Sequence, residues 1–283
     1  MGNENQVQLV DCPRDAIQGM QSFLPTEKKV GYIRQLLASG CFDFIDFGSF
    51  VSPKAVPQMA DTAEVIQQIE KKGLTKLIAI IANEKGAALG KKYELIDYLG
   101  YPFSISDTFQ RRNTNRSTNE AFETVIRCQE SLSNGPELMV YLSMAFGNPY
   151  GDHWDEDIVF YWVEKLANVG IRKFSLADTT AEATPARIEE LFSGIQNNFS
   201  GMEWSIHLHS RVENALLKVE AAYRAGCRIF EGAMMGYGGC PFAQDDLVGN
   251  IPSELLIDRF GRQVSTRPVE LMEAFQQLIH HEL

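Results

Sequence analysis

Eight times along this chain a short apolar run of strand length is followed by a longer segment of helical period. No other feature restricts the fold as strongly. A strand that must cross over through a helix before the next strand leaves its sheet parallel and covered on both faces. The strands read from the pattern span residues 7–12, 42–48, 75–82, 101–106, 138–146, 173–178, 204–209 and 228–235. Among the amphipathic segments between them are 26–39, 61–72, 119–132, 155–169, 185–198 and 213–225. Several open on Pro or an acidic residue and are followed by Gly, as at Gly40, Gly170 and Gly226, which suits helix starts and stops. Residues 253–260 read as the closing helix and 268–281 as one helix more. An open doubly wound sheet uses the same unit, but eight units favour closure. The expectation is an α/β chain, a TIM-type (β/α)8 barrel with an additional C-terminal helix. With no Pro/Gly/Ser-rich linker, residues 1–283 are expected to form one domain.

Composition removes several classes of function. With 45% hydrophobic and 22% charged residues the chain is neither disordered nor fibrous. No apolar run reaches the roughly 18 residues of a membrane span, and the first residues lack a basic stretch followed by an apolar one. Met1-Gly2 is not followed by Ser or Thr at position 6, which is Gln, so a myristoyl anchor is set aside and a cytoplasmic location is expected. The five cysteines are odd in number and contain no CxxC, which suits thiols in a reducing compartment. A net charge of -11 argues against a nucleic-acid surface, so an anionic ligand needs a local basic pocket.

A barrel of this type gathers its chemistry at the carboxyl ends of the strands. Polar residues stand there unevenly: Arg14, Asp15 and Gln18 after the first strand, Asp46 and Ser49 at the second, Asp178 and Thr179 at the sixth, His207 and His209 at the seventh. The loop GYGGCPFA at 236–243, with Cys240, and then Asn250 follow the eighth. Two residues apart on a strand, His207 and His209 point to one face and can share a metal ion, or they are a pair of satisfied core histidines. Asp15 and Asn250 at the same rim shift the balance toward a metal. A mixed nitrogen and oxygen set without thiolate favours Mg2+ or Mn2+ over structural zinc. Cys240, between glycine and proline, reads as a functional thiol on a loop over the mouth, against the commoner buried structural cysteine. The stretch GSFVSPKAVPQM at 48–59 reads as a rigid non-helical loop because of its prolines. Lys54 on it, and Arg111, Arg112 and Arg116 after the fourth strand, are either solvated or a basic rim for an anionic ligand.

The segments CPRDAIQ (12–18), DFGSFVSPKAVPQM (46–59), SLADTT (175–180), HLH (207–209) and GYGGCPFAQDDLVGN (236–250) resemble the 3-hydroxy-3-methylglutaryl-CoA (HMG-CoA) lyase family, in order and over essentially the whole chain. The Arg-Asp pair and HxH are shared with a broader superfamily of synthases and aldolases; GYGGCPFA is more specific to the lyases. The resemblance implies metal ligation by Asp15, His207, His209 and Asn250. It also implies Arg14 as the cation at the developing enolate, Cys240 as a catalytic thiol, and Asp46, Asp178 and Glu254 as catalytic or supporting acidic groups. An acyl-CoA thioester held with help from Gln18, Ser49, Lys54, Arg111 and Arg112 is the expected partner, with a homodimer as the assembly the family suggests. The chemistry suits these residue types, because a retro-Claisen cleavage must ionise a tertiary hydroxyl and stabilise a departing enolate. Three positions depart from the family pattern: Asp46 stands for a glutamate, Ser210 for an aspartate and Ala16 for a glycine, and the stretch before Arg14 is a residue short. Hence a related lyase or synthase for another 3-hydroxyacyl-CoA, and a barrel that binds metal or acyl-CoA without catalysis, stand as alternatives.

Overall fold

The computed structural model describes residues 6–71, 73–239, 248–261 and 266–280. Strands β1 (Gln8–Asp11), β2 (Phe44–Ser49), β3 (Lys76–Ile80), β4 (Tyr98–Ser104), β5 (Glu137–Ser143), β6 (Lys173–Asp178), β7 (Glu203–Leu208) and β8 (Ile229–Gly232) pair in sequence order, all parallel, and β8 closes onto β1. The fold is the expected TIM barrel. Around it lie α1 (Pro13–Ile17), α2 (Thr26–Ser39), α3 (Thr62–Gln67), α4 (Glu84–Gly90), α5 (Asp107–Thr114), α6 (Thr118–Ser131), α7 (Glu156–Asn168), α8 (Pro185–Asn198), α9 (Val212–Arg224), α10 (Ser253–Phe260) and α11 (Pro268–Ile279), the last being the additional C-terminal helix. Among the described residues no helix is long and apolar enough to cross a membrane.

Two apolar layers hold the barrel. The larger lies between strands and helices and includes Leu36, Ile45, Val125, Leu166, Leu191 and Phe275. The smaller fills the interior, with Val10, Phe44, Ile78, Met139 and Ile229 stacked beneath the mouth. Such strands are buried on both sides, which is why they read as continuous apolar runs.

Local differences from the sequence reading have local causes. β4 starts at Tyr98, three residues earlier than expected, because Gly100 and Pro102 give the segment a turn-like composition. Gly100 is there for space: a Cβ at this position would lie 2.6 Å from the Tyr141 ring. The prolines of 48–59 do not exclude all helix, since a short 3-10 turn runs over Pro57–Met59. Pro57 opens it, where a missing N–H costs nothing. α4 and α5 were not foreseen; both are short and are started by side-chain caps, Asn83 accepting from the Gly86 N–H and Ser106 from the Phe109 N–H. Cys12, Cys41, Cys128 and Cys227 are buried and form no disulfide among themselves.

Candidate active site

The β1 ladder ends at Asp11, and Pro13 at once begins α1, a single turn that carries Arg14, Asp15 and Gln18 over the barrel mouth. There they meet the end of β7 in an open cavity of about 1120 Å3, space continuous with solvent included, whose polar wall holds Arg14, Asp15, Ser49, Thr179, His207 and His209. Val51, Val56, Ile80 and Phe109 make much of the opposite wall.

Each imidazole is oriented from behind. His207 Nδ1 lies 3.2 Å from the Glu231 carboxylate on β8, and His209 Nδ1 lies 3.1 Å from the main-chain carbonyl of Thr179. A carbonyl and an ionised carboxylate can only accept, so both Nδ1 atoms carry the proton. Burial lowers His207, but its hydrogen bond to the Glu231 carboxylate outweighs that and raises it above the ordinary imidazole value, while His209 Nε2 presents a bare lone pair. The two Nε2 atoms face each other at 3.1 Å. A metal ion, or a proton carried by His207, would satisfy two ring nitrogens at that distance.

Asp15 completes the group: its carboxylate and both imidazoles offer ligand atoms within 4.8 Å of one another. Its Oδ2 accepts from Asn250 Nδ2 at 2.7 Å, while Asn250 Nδ2 also donates to the Tyr237 carbonyl at 2.8 Å. That leaves Asn250 Oδ1 buried without a partner. An orphaned buried acceptor beside a carboxylate and two facing imidazole nitrogens is what a metal ion would satisfy. The charge agrees, since two buried carboxylates, Asp15 and Asp46, face the guanidinium of Arg14, a surplus of one negative charge. Burial favours the neutral form of Asp15, yet Arg14 and the two imidazoles outweigh it and hold the carboxyl at about 2. Burial and the neighbouring His207 push His209 down to about 4, so it is neutral at pH 7, the form a metal ion would require.

Asp46 lies behind Arg14 rather than on the cavity wall. Its Oδ2 accepts from Arg14 Nε at 3.0 Å and from Nη2 at 2.5 Å, and its side chain is fully buried. Burial raises its carboxyl to about 6 even though Arg14 opposes the shift. Arg14 Nη1 donates to Asp15 Oδ1 at 2.9 Å and to Gln18 Oε1 at 3.1 Å. Four of the five guanidinium N–H groups are thus used among the described residues, and one on Nη2 is left to meet a ligand.

The other expected residues take different places. Asp178 turns outward to the buried Lys218 ammonium at 2.8 Å and accepts from the Ala183 N–H at 3.0 Å. Glu254 accepts from the Met235 N–H at 2.9 Å, holding a residue at φ 58° that few non-glycine side chains adopt. Gln18 and Ser49 line the cavity. Lys54 is exposed, Arg111 is paired with Asp107 on its own helix, and Arg112 lies over the Tyr150 ring at 4.5 Å; the cavity wall beneath them is formed by Asn113 and Thr114. Cys240 lies outside the described residues. Gly238 shows why the preceding loop is glycine-rich: at φ +93° it passes so near that a Cβ would lie 2.6 Å from the Asp15 carbonyl and 2.8 Å from Asn250 Nδ2.

Glu231 was not anticipated. It accepts from Ser175 Oγ at 2.6 Å and Ser205 Oγ at 2.5 Å besides holding His207. The signal available was the one charge within the otherwise apolar β8 run, Ile229–Gly232.

A closed barrel with this polar cluster at the carboxyl ends of its strands is a TIM-barrel enzyme, and the comparisons make it a carbon–carbon lyase. The HMGL-like family model matches residues 6–278, and the chain belongs to that family. It is similar to the hydroxymethylglutaryl-CoA lyase of Bacillus subtilis, 30% identical over 87% of this chain and 81% of the relative. It is equally similar to the (R)-citramalyl-CoA lyase of Chloroflexus aurantiacus, at 31% over 90% and 83%. Among solved structures, an HMG-CoA lyase from Acinetobacter baumannii in complex with coenzyme A and 3-methylmalate superposes with a TM-score of 0.90 at 29% identity, covering 99% of this chain and 93% of that one.

Proposed function

We propose that this protein cleaves HMG-CoA to acetyl-CoA and acetoacetate with a bound Mg2+ or Mn2+. The observation that carries the reading is the pair of facing Nε2 atoms beside Asp15 and the unpartnered Asn250 Oδ1, with Arg14 next to them in one cavity. Asp15, His207, His209 and Asn250 would hold the ion, which would supply Lewis acidity that lowers the pKa of the substrate's tertiary hydroxyl. When that hydroxyl loses its proton, the C2–C3 bond breaks and its electron pair enters the thioester enolate, while the C3 oxygen becomes the ketone of acetoacetate. The enolate then takes a proton at C2 to leave as acetyl-CoA.

Arg14 offsets the charge on the enolate oxygen through its remaining Nη2 proton. Asp46 grips the other side of the guanidinium, so it acts on the substrate through Arg14. Gln18 fixes both Arg14 and Asp15, donating to Asp15 Oδ1 at 2.7 Å. Cys240 is retained as the catalytic loop thiol, Gln18 and Ser49 as substrate contacts, and Lys54, Arg111 and Arg112 as a basic outer rim for the CoA phosphates. Asp178 and Glu254 are supports for the loops that carry the site. A cytoplasmic homodimer is the proposed assembly.

A second reading, cleavage of a related 3-hydroxyacyl-CoA such as citramalyl-CoA, is favoured by Asp46 in place of the family's glutamate and by the 31% identity to a citramalyl-CoA lyase. Purified protein assayed with Mn2+ on both thioesters decides between them. HMG-CoA turnover with acetoacetate release that stops with EDTA supports the first reading. Turnover of citramalyl-CoA alone replaces it. Asp46→Glu is expected to change kcat/KM on HMG-CoA about tenfold or more, because about 1 Å of movement at a catalytic cation matters on that scale.

A further inference from the structure

A buried lysine is costly unless its charge is paired, and Lys218 on α9 has only 8% of its side chain exposed. Its ammonium joins two strands. It donates to Asp178 Oδ2 at the end of β6 and to the main-chain carbonyl of His209 just past β7, each at 2.8 Å. The β6–β7 ladder runs only to Asp178 opposite Leu208; His209 has left it and faces Asn250 across an isolated antiparallel bridge. At that point the sheet no longer sets the distance between β6 and the His209 backbone. Yet the imidazole depends on that distance, because its Nδ1 must reach the carbonyl of Thr179, the residue after Asp178. Asp178 is itself anchored by the Ala183 N–H on its other oxygen, so the lysine spans from a fixed carboxylate to the His209 backbone.

We infer that Lys218 is a positioning residue: by bracing the His209 carbonyl against Asp178 where the ladder has ended, it keeps Nδ1 on the Thr179 carbonyl and Nε2 free to face the cavity. The inference rests on the proposed metal reading for its functional consequence, and on hydrogen bonds alone for its geometry. Lys218 is absent from the cavity wall, so its influence runs through the orientation of His209.

The test uses Lys218→Met, and Lys218→Met with Asp178→Asn in case the single variant leaves a buried carboxylate uncompensated and does not fold. Imidazole 15N shifts of the metal-free proteins report the His209 tautomer, and calorimetry reports Mn2+ affinity. In the wild type, His209 is expected as the Nδ1–H form. In the variant that folds, it should populate both tautomers, with Mn2+ affinity reduced about tenfold or more and kcat lowered at nearly unchanged KM, the scale at which groups behind a metal ligand act. A folded variant with a lower melting temperature but the wild-type tautomer and Mn2+ affinity overturns the inference, leaving Lys218 a structural lysine. Should the wild type bind no Mn2+, the metal reading falls, and the tautomer comparison still decides the role of Lys218.

Discussion

The two ends of the barrel interior solve opposite problems. Beneath the mouth, Val10, Phe44, Ile78, Met139 and Ile229 are packed apolar side chains, and the lysines at that end have partners: Lys173 meets the Glu203 carboxylate at 2.6 Å and Lys76 donates to the Tyr98 hydroxyl at 2.9 Å. At the mouth, Asp15, Asp46, Glu231, His207 and His209 are equally buried, but the accounting does not close. Asn250 Oδ1, Asp46 Oδ1 and the Tyr141 hydroxyl have no partner. Unsatisfied buried polar atoms each cost about 1–3 kcal/mol, and they also occur away from the mouth, as at Tyr32, Tyr101 and Trp204. What sets the mouth apart is that Asn250 Oδ1 stands beside the Asp15 carboxylate and the two imidazoles. The lower layers hold the barrel closed; the upper layer is completed by what it binds.

Breaking the upper layer should be most damaging at a proposed ligand. His209→Ala is expected to lower kcat/KM by about a thousandfold, ~4 kcal/mol of transition-state stabilisation, with Mn2+ affinity falling alongside. Unaltered Mn2+ binding by calorimetry would remove His209 from the metal group. One step back from the ligands the effect should shrink. Glu231→Gln keeps the shape but weakens the hold on His207 Nδ1, and a loss of about 10- to 100-fold in metal affinity is expected. If the affinity stays at the wild-type value, the carboxylate is merely a partner for Ser175 and Ser205. The smallest effect on chemistry should come from the lower layer. Ile78→Ala there is expected to cost about 2–5 kcal/mol of stability by leaving a cavity, while kcat/KM per folded molecule stays as it was. An equal fall in kcat/KM, measured well below the melting temperature, would show that the two ends are not independent.

The strand-helix rhythm made the barrel legible because burial on both faces leaves each strand one apolar run. α2, α8 and α10 have the bounds expected from their caps and periodicity. His207 and His209 were legible for the same reason, since period-two alternation fixes a common face without knowledge of any neighbour. Asp15 and Asn250 could be listed from the sequence, but their meeting at 2.7 Å joins positions 235 residues apart and depends on β8 closing onto β1. The roles of the remaining charges were beyond reach along the chain. Asp178 looks outward to Lys218, Asp46 grips Arg14 from behind, and Glu231 holds His207 because His207 and Glu231 stand opposite each other in the β7–β8 register. A carboxylate has one appearance in a sequence, whether it touches a ligand, orients one or ties down a loop. Which of these it does is set by direction and by partners on other strands, and only the closed barrel supplies both.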